Sequence, residues 1–401
     1  MQSAITRAGR YLKQPAGYSA FIPAPLPPDP PLEIGSELVS LLSEADRALG
    51  RLDGVSRTLP NPDLFVAMYV RREAVLSSQI EGTQSSLEDV LEFELDPAGR
   101  RLPTDVVEVV NYVQAMKHGL ERIKSLPLSL RLIREIHAKL LEGVRGSQRL
   151  PGEFRRSQNW IGPAGASLAQ AAFVPPPVNE MHAALGELER FLHVDTFPPL
   201  IHAGLVHAQF ETIHPFLDGN GRVGRLLVTF VLVQHNVLHR PLLYLSHYLK
   251  RHRAEYYDRL TAIRQAGDWE GWLRFFLRGA AETGREASST AMAIIELRDQ
   301  HRALIQEHGA RAVTSRLLDL LFQWPVLNVN LVKQRLNVSF ATSNKLVEQF
   351  QEWGLLEETT GHKRNRRYRY SPYLRLFEEQ EVATSAETVQ TTESAEKGAE
   401  R

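Results

Sequence analysis

One stretch of twelve residues, from His214 to Arg225, combines side chains that could bind a polyphosphate and act on it. His214 titrates near neutral pH without help from its surroundings, which suits a general base. Asp218 offers a carboxylate to Mg²⁺, an ion that prefers carboxylate, water and phosphate oxygens. The stretch runs directly into an apolar segment, 226–233, which we predict to be a buried helix.

The residues just before that helix favour anion binding. A helix N-terminus presents unpaired N–H groups and the positive end of the helix dipole. We expect Gly219 and Gly221 to allow positive φ and a close approach of the backbone to the anion. Arg222 and Arg225 are three residues apart, so both could face the anion from the first helical turn.

Residues 219–224 also match the pattern G-x-G-x-x-G of dinucleotide-binding folds. That pattern requires a β-strand in front of it and an acidic residue about 20 positions later. The preceding segment, 207–214, is helical in character and is followed by Pro215. We therefore reject a dinucleotide-binding site here.

The bulk composition limits the class of protein. The chain has 401 residues, of which 43% are hydrophobic and 23% charged, and this predicts a globular protein of two or three domains. Its net charge is zero, so no overall field attracts it to nucleic acid or to an anionic membrane. It has no cysteine, which excludes disulfides and fits a reducing compartment. No segment is typical of a secretory signal or a membrane span, so we predict a cytoplasmic protein without membrane contact.

Helical periodicity dominates the chain from residue 37 onward, and the predicted fold class is mainly α. Residues 1–35 contain six prolines between positions 23 and 31, so we expect an irregular strap over the surface. Between two predicted helices, the insertion 155–177 has a Gly-Pro-Ala-Gly tip that predicts a β-hairpin. The sequence predicts helices over 85–95, 104–124, 129–143, 178–193, 198–213, 221–236, 246–265 and 269–285.

Residues 313–377 are typical of a separate winged-helix domain, with three helices followed by a basic hairpin over 359–371. The helix 342–353 could enter a DNA major groove while the hairpin contacts phosphates. The same fold also serves as a protein-docking platform, so both interpretations stay open. Residues 378–401 are rich in Glu, Ser, Thr and Ala and lack aromatic residues, which predicts a disordered acidic tail.

The stretch 214–225 resembles the Fic family motif, H-x-F-x-[D/E]-G-N-G-R-x-x-R, at every fixed position. Fic enzymes transfer AMP from ATP to a protein hydroxyl. The resemblance implies that His214 is the base, that Asp218 holds Mg²⁺ and that Arg225 contacts the γ-phosphate of ATP. It implies further nucleotide contacts at Gly219, Asn220, Gly221, Arg222, Val223 and Gly224.

A second motif lies far upstream. Ser77-Ser-Gln-Ile-Glu81-Gly82 reads locally as a helix end with Gly82 as its breaker, and Ser77 and Glu81 share a helix face. It resembles the inhibitory motif [S/T]-x-x-x-E-[G/N] of Fic proteins. That resemblance implies a pairing of Glu81 with Arg225 that withdraws Arg225 from the nucleotide.

Further Fic features are implied more loosely. The hairpin 155–177 resembles the flap that pairs with the main chain of the target, here through Ile161, Phe173 and Val174. A tyrosine following the motif helix often packs on adenine. Tyr256 and Tyr257 are both candidates, and an ordinary core role for a tyrosine is equally open, although we assign the contact to Tyr257.

The predicted architecture is a Fic-type helical core with a β-hairpin flap and a C-terminal winged helix. Its parts are 1–110, a Fic-associated helical region; 111–290, the catalytic core; 291–377, the winged helix; and 378–401, the tail. The predicted activity is Mg²⁺-dependent AMP transfer to a Ser, Thr or Tyr hydroxyl, including self-modification, with a homodimer implied by the family. The alternatives are AMP removal at the same site and a nucleotide-sensing regulator that binds DNA.

Overall fold

A computed structural model describes residues 6–58, 62–97, 105–144, 146, 148–163, 165–309, 311–362 and 364–377. The fold is mainly helical, as predicted. No helix in the described ranges is long and apolar enough to cross a membrane. The predicted disordered tail, 378–401, lies outside the described residues.

The chain divides into two compact units. The first comprises Met1–Gly54, Tyr69–Val90 and Pro103–Ala287, and the second comprises Val55–Met68, Leu91–Leu102 and Ser288–Arg401. The domain limits at residues 110, 290 and 377 stay a prediction.

The helices before residue 310 lie close to their predicted positions, with two differences. They are α1 (Ser36–Thr58), α2 (Pro62–Ile80), α3 (Leu87–Leu95), α4 (Val106–Arg122), α5 (Leu130–Leu140), α6 (Val178–Phe191), α7 (Pro199–Ile213), α8 (Asn220–Gln234), α9 (Ser246–Arg251), α10 (Arg253–Ala266) and α11 (Trp269–Glu307). The predicted helix 246–265 is divided at His252, whose φ of −105° and ψ of 39° are not helical. The helix predicted to end at 285 continues to Glu307, because no proline interrupts that segment.

The prediction that residues 1–35 are irregular is wrong for the segment between residues 9 and 23. Strands β1 (Gly9–Lys13) and β2 (Ser19–Pro23) form an antiparallel hairpin in which Tyr11 lies opposite Phe21. Phe21 is fully buried, and its ring meets that of Tyr11 edge to face at 5.0 Å. Burial of this aromatic face holds the segment in place.

Helices α7 and α8 form the centre of the first unit. Every residue of α7 from Leu200 to Ile213 is buried, and most of α8 is buried as well. A helix that is apolar on all sides needs neighbours on all sides. Helices α4, α5, α6 and α10 and strand β2 provide them, and the turn between α7 and α8 is thereby held rigidly.

The second unit contains α12 (Ala312–Gln323), α13 (Val329–Leu336) and α14 (Phe340–Glu352). Three short antiparallel strands follow the order β3 (Val326–Leu327), β5 (Tyr368–Arg369), β4 (Glu357–Glu358). Tyr368 and Tyr370 are fully buried and alternate with arginines along the hairpin. The order of three helices and a small sheet is that of the prediction, and a winged helix here stays a prediction.

Candidate active site

His214 ends α7 in a strained conformation. Its φ of 48° and ψ of 60° place it in the left-handed region, while its N–H still donates to Phe210 O at 2.9 Å. Left-handed conformations are common at helix C-termini but favour glycine over residues with a side chain. Pro215 then prevents the helix from continuing. The left-handed conformation of His214 reverses the direction of the chain into the turn that leads to α8.

Asn220 fixes the shape of that turn. Its Oδ1 accepts from Phe216 N and its Nδ2 donates to Phe216 O, both at 2.8 Å. The His137 ring stacks on Phe216 with ring centroids 3.7 Å apart. The Nδ1 of His137 accepts from Gly152 N, so its Nε2 carries the proton and donates to Asp218 O at 3.0 Å. Asn220 therefore acts as a brace of the turn.

The His214 imidazole is neutral at physiological pH. Its pKa is lowered to about 4, first by burial and then by the positive charge of Arg155, while Glu81 acts in the opposite direction. The main chain of Glu211 also favours the protonated form. The Nδ1 atom is buried and makes no hydrogen bond of ordinary geometry within the described residues. The Nε2 atom is therefore the nitrogen available to a substrate.

Arg225 is held by both residues of the upstream motif. Its Nε donates to Ser77 Oγ at 2.7 Å, and its Nη2 donates to Ser77 O at 2.9 Å and to Glu81 Oε1 at 2.7 Å. Loss of hydration would raise the pKa of the Glu81 carboxyl, but the Arg225 guanidinium outweighs it and the pKa lies below its usual value. The residues meet as the sequence predicted, with Glu81 just beyond the last residue of α2.

The two glycines of the turn serve different purposes. Gly219 has a positive φ of 78° and precedes α8, as expected. Gly221 does not have positive φ, so that part of the prediction is wrong. Its role is to leave space, because a Cβ at this position would overlap Glu81 Oε1.

Arg222 does not face the same way as Arg225. Its Nη1 donates to Glu108 Oε2 of α4 at 3.0 Å, and both side chains are buried. Its Nη2 lies 3.6 Å from Asp218 Oδ1. Arg222 thus links α4 to the carboxylate that we predict to bind Mg²⁺.

Sequence analysis missed two buried carboxylates beside this site. Burial raises the pKa of Glu211 to about 7, and Glu211 Oε1 has no hydrogen-bond partner in the part of the chain that the structure describes. Burial also raises the pKa of Glu73 to about 7, although Tyr112 Oη and Ser246 donate to its carboxylate. A charged residue one turn before the motif histidine, within an otherwise apolar helix, was the available signal for Glu211.

The structure distinguishes the two candidate tyrosines. Tyr256 is fully buried, and its hydroxyl lies 2.9 Å from His207 Nε2. Tyr257 is 40% exposed. Only Tyr257 is therefore accessible to a nucleotide base.

The insertion 155–177 is paired at one isolated antiparallel bridge, Ile161 to Phe173, where the sequence predicted a hairpin, and a 3-10 turn, Leu168–Gln170, lies between the two residues. One arm is already paired on both sides. Ile161 and Phe173 exchange two main-chain hydrogen bonds of 2.8 and 3.1 Å. Val174 O accepts from Phe21 N of β2 at 2.9 Å. Phe173 and Val174 are buried, whereas Ile161 is 38% exposed. Ile161 is thus the one predicted docking residue whose side chain a target could contact.

Comparison with known proteins places this site in a family. Residues 39–121 match the Fic/DOC family N-terminal model, and residues 127–232 match the Fic/DOC family model. The second segment contains the α7–α8 turn, and the first contains Ser77 and Glu81. The chain thus contains a Fic/DOC family domain, preceded by the N-terminal region of that family.

Individual relatives are distant. The protein adenylyltransferase Fic of Drosophila erecta is 28% identical over 203 residues, which cover 49% of this chain and 37% of that protein. The protein of the same name from Aedes aegypti is 30% identical over 204 residues, with the same coverage. The match thus spans little more than a third of these relatives.

A solved structure shows the shared fold. A Fic family protein from Desulfovibrio desulfuricans G20 superposes with a TM-score of 0.56 at 22% identity. The superposition covers 85% of this chain and 97% of that one. The predicted Fic-type fold is therefore confirmed.

Proposed function

We propose that this protein transfers AMP from ATP to a Ser, Thr or Tyr hydroxyl of a protein, with Mg²⁺, and that Glu81 inhibits the transfer by holding Arg225. One observation carries the proposal: a half-buried His214 with a neutral imidazole ends α7, and Arg225, paired with Ser77 and Glu81, lies in α8 just after the same turn. The adenylyltransferase relatives support the reaction class.

In this reaction the target oxygen attacks the α-phosphorus of ATP. An O–P bond forms, the bond from the α-phosphorus to the bridging oxygen breaks, and pyrophosphate leaves. The hydroxyl proton passes to His214 Nε2, since Nδ1 is buried. A pKa of about 4 makes His214 a weak base, and the negative charge of a bound triphosphate would raise that pKa toward neutrality.

Asp218 fits a role as the Mg²⁺ ligand. Its carboxylate is 32% exposed and lies beside the N-terminus of α8, where phosphates bind favourably. Mg²⁺ is commonly held by one or two carboxylates together with substrate phosphates and water. Within the described residues no group of three or more His, Cys, Asp or Glu could hold a metal, which agrees with a site completed by the substrate. The ion would neutralise charge that develops on the phosphate oxygens.

The proposed inhibition follows from the partners of Arg225. Within the described residues, its guanidinium donates to Ser77 Oγ, Ser77 O and Glu81 Oε1. Because Nε and Nη2 are engaged in this way, a phosphate would compete with Glu81 for Nη2, and the triphosphate would bind without its full terminal contact. Release of Glu81 would restore that contact.

The proposed partner is a protein segment that adds to the free edge of the hairpin. Because Ile161 directs its own N–H and C=O to Phe173, its neighbours Trp160 and Gly162 present theirs on the opposite edge. Trp160 is 42% exposed and offers an apolar contact beside that edge. Assembly as a homodimer, DNA binding by residues 291–377 and a cytoplasmic location stay predictions.

The experiment compares the wild type, Glu81→Gly and Glu81→Gly/His214→Ala, each incubated with Mg²⁺ and ATP and measured by intact mass and pyrophosphate release. We expect a gain of AMP mass in Glu81→Gly, less in the wild type and none in the double variant. Glu142→Gly is the matched control, because Glu142 also follows a helix and its carboxylate pairs with Lys139 at the surface.

The outcomes separate the alternatives. ATP binding without AMP transfer in Glu81→Gly, to itself or to proteins of a cell extract, would refute the proposed reaction. Release of AMP from a modified protein without pyrophosphate would indicate removal. Tight, sequence-dependent DNA binding without turnover would indicate the regulator.

A further inference from the structure

Within the described residues, Arg155 is a buried cation without a carboxylate partner. The residue is fully buried, and burial lowers the pKa of its guanidinium to about 10. Its neighbour Arg156, by contrast, is exposed and pairs with Glu153. A buried arginine is costly unless its donors are satisfied, so its position at the root of the hairpin calls for an explanation.

The Arg155 donors are satisfied by main-chain carbonyls from three segments. Its Nε donates to His214 O at 3.1 Å, its Nη1 to Ser157 O at 3.2 Å, and its Nη2 to Pro176 O. Its main-chain N–H donates to Pro215 O at 2.9 Å. Arg155 therefore joins the outgoing arm of the hairpin, the returning arm and the turn that carries His214.

Asn159 reinforces the same junction. Its Nδ2 donates to His214 O at 3.2 Å and to Phe216 O at 2.8 Å. His214 O is thus shared by Arg155 and Asn159, both from the outgoing arm. The hairpin edge and His214 are consequently fixed in relation to each other through one carbonyl oxygen.

Charged side chains of both signs act on the His214 imidazole. Arg155 and Arg264 oppose protonation of the imidazole, and Glu81 favours it. Arg264 of α10 lies over the Phe173 ring at 3.9 Å. Among these groups only Arg155 also bonds to the main chain of His214.

We propose that Arg155 is a positioning residue with two separable effects: its forked hydrogen bonds align the hairpin edge with His214, and its positive charge keeps the imidazole unprotonated. The first effect rests on the proposed AMP transfer, because it orients the acceptor hydroxyl. The second effect rests on charge and geometry alone.

Two substitutions separate these effects. Arg155→Lys keeps the charge but cannot reach three carbonyls in the forked geometry of a guanidinium. Arg155→Met removes the charge and the donors while keeping much of the buried volume. Arg156→Met is the matched control, since it removes an exposed arginine one residue away.

The charge effect is tested by NMR titration of ¹³C-labelled histidine in the nucleotide-free protein, with His214 assigned by its absence in His214→Ala. We expect the His214 pKa to rise by about one unit in Arg155→Met and to stay near the wild-type value in Arg155→Lys and Arg156→Met. An unchanged pKa in Arg155→Met, or equal shifts in the Met and Lys variants, would overturn the charge effect.

The alignment effect is tested in the Glu81→Gly background with ATP and a protein target. We expect Arg155→Lys to lower kcat for AMP transfer at least tenfold while the KM for ATP changes little. If Arg155→Lys lowered kcat/KM only by raising KM, with kcat unchanged, the alignment effect would be overturned. If Glu81→Gly itself transfers no AMP, the proposed function fails, but the NMR titration still decides whether Arg155 controls His214.

Discussion

Gly221 leaves the space that the Glu81 carboxylate occupies, because a Cβ at residue 221 would overlap Glu81 Oε1. The same glycine lies in the first turn of α8, where a phosphate would approach the backbone. Glu81 and a nucleotide phosphate would therefore compete for space as well as for Arg225. Inhibition of the proposed kind thus combines steric exclusion with charge pairing.

Ser77→Ala should weaken the hold of α2 on Arg225. The substitution removes the 2.7 Å bond from Arg225 Nε to Ser77 Oγ and leaves the bonds to Ser77 O and Glu81. We expect AMP transfer to rise about tenfold, less than in Glu81→Gly, since one charge-assisted hydrogen bond contributes about 1.5–3 kcal/mol. Initial rates of pyrophosphate release measure the effect, and a rate equal to that of the wild type would contradict it.

Glu108→Ala should destabilise the fold strongly. It would leave Arg222 buried without the carboxylate that lies 3.0 Å from its Nη1. Breaking a buried ion pair in this way typically costs about 3–5 kcal/mol. Urea unfolding measures the loss, with Glu142→Ala as a control because its surface pair should contribute less than about 1 kcal/mol. Similar unfolding midpoints for the two variants would refute a structural role of the buried pair.

Glu211→Gln should change how stability depends on pH. The pKa of Glu211 is raised to about 7 in the folded protein, so its neutral form stabilises the fold at low pH. That stabilisation is lost as the pH rises from about 4.5 through 7, because the unfolded state releases the proton first. As the pH rises over this range, the free energy of unfolding of Glu211→Gln should therefore increase relative to that of the wild type by up to about 3 kcal/mol. Parallel stability curves between pH 4.5 and 7.5 would show that Glu211 does not titrate there.

Tyr257→Ala should raise the KM for ATP about fivefold, because one aromatic contact contributes about 1 kcal/mol to binding. The free energy of unfolding should change little. Tyr257 is 40% exposed, whereas Tyr256 is buried and bonded to His207. Tyr256→Phe provides the contrast, since it should lower the free energy of unfolding by about 1 kcal/mol and leave the KM unchanged. Steady-state kinetics and urea unfolding of both variants check this, and the reverse assignment would follow from the opposite pattern.

The parts of the site that the sequence predicted are carried by short motifs. His214, Asn220 and Arg225 lie within twelve residues, and the four-residue spacing of Ser77 and Glu81 brings both to the C-terminal end of α2. Local chemistry determines such positions, because helix ends and turns need particular residues. The pairing of Glu81 with Arg225 could be expected because both motifs were complete.

The features of the site that the sequence did not predict depend on contacts between residues far apart in the chain. Glu108 pairs with Arg222 across 114 positions, and no local pattern links them. Phe173 and Val174 were expected at a surface that β2 in fact covers. The β1–β2 hairpin, which was not predicted, did carry a signal in the sequence: a Pro-Ala-Gly turn between segments with aromatic and aliphatic side chains. The prolines after residue 22 led instead to the prediction of an irregular segment.

The left-handed conformation of His214 has a consequence for the evolution of this protein. A residue with a side chain costs roughly 1 kcal/mol at such a φ, whereas glycine does not. The backbone conformation alone therefore favours glycine at position 214, whereas the proposed chemistry requires histidine. Backbone strain and activity thus oppose each other at this residue.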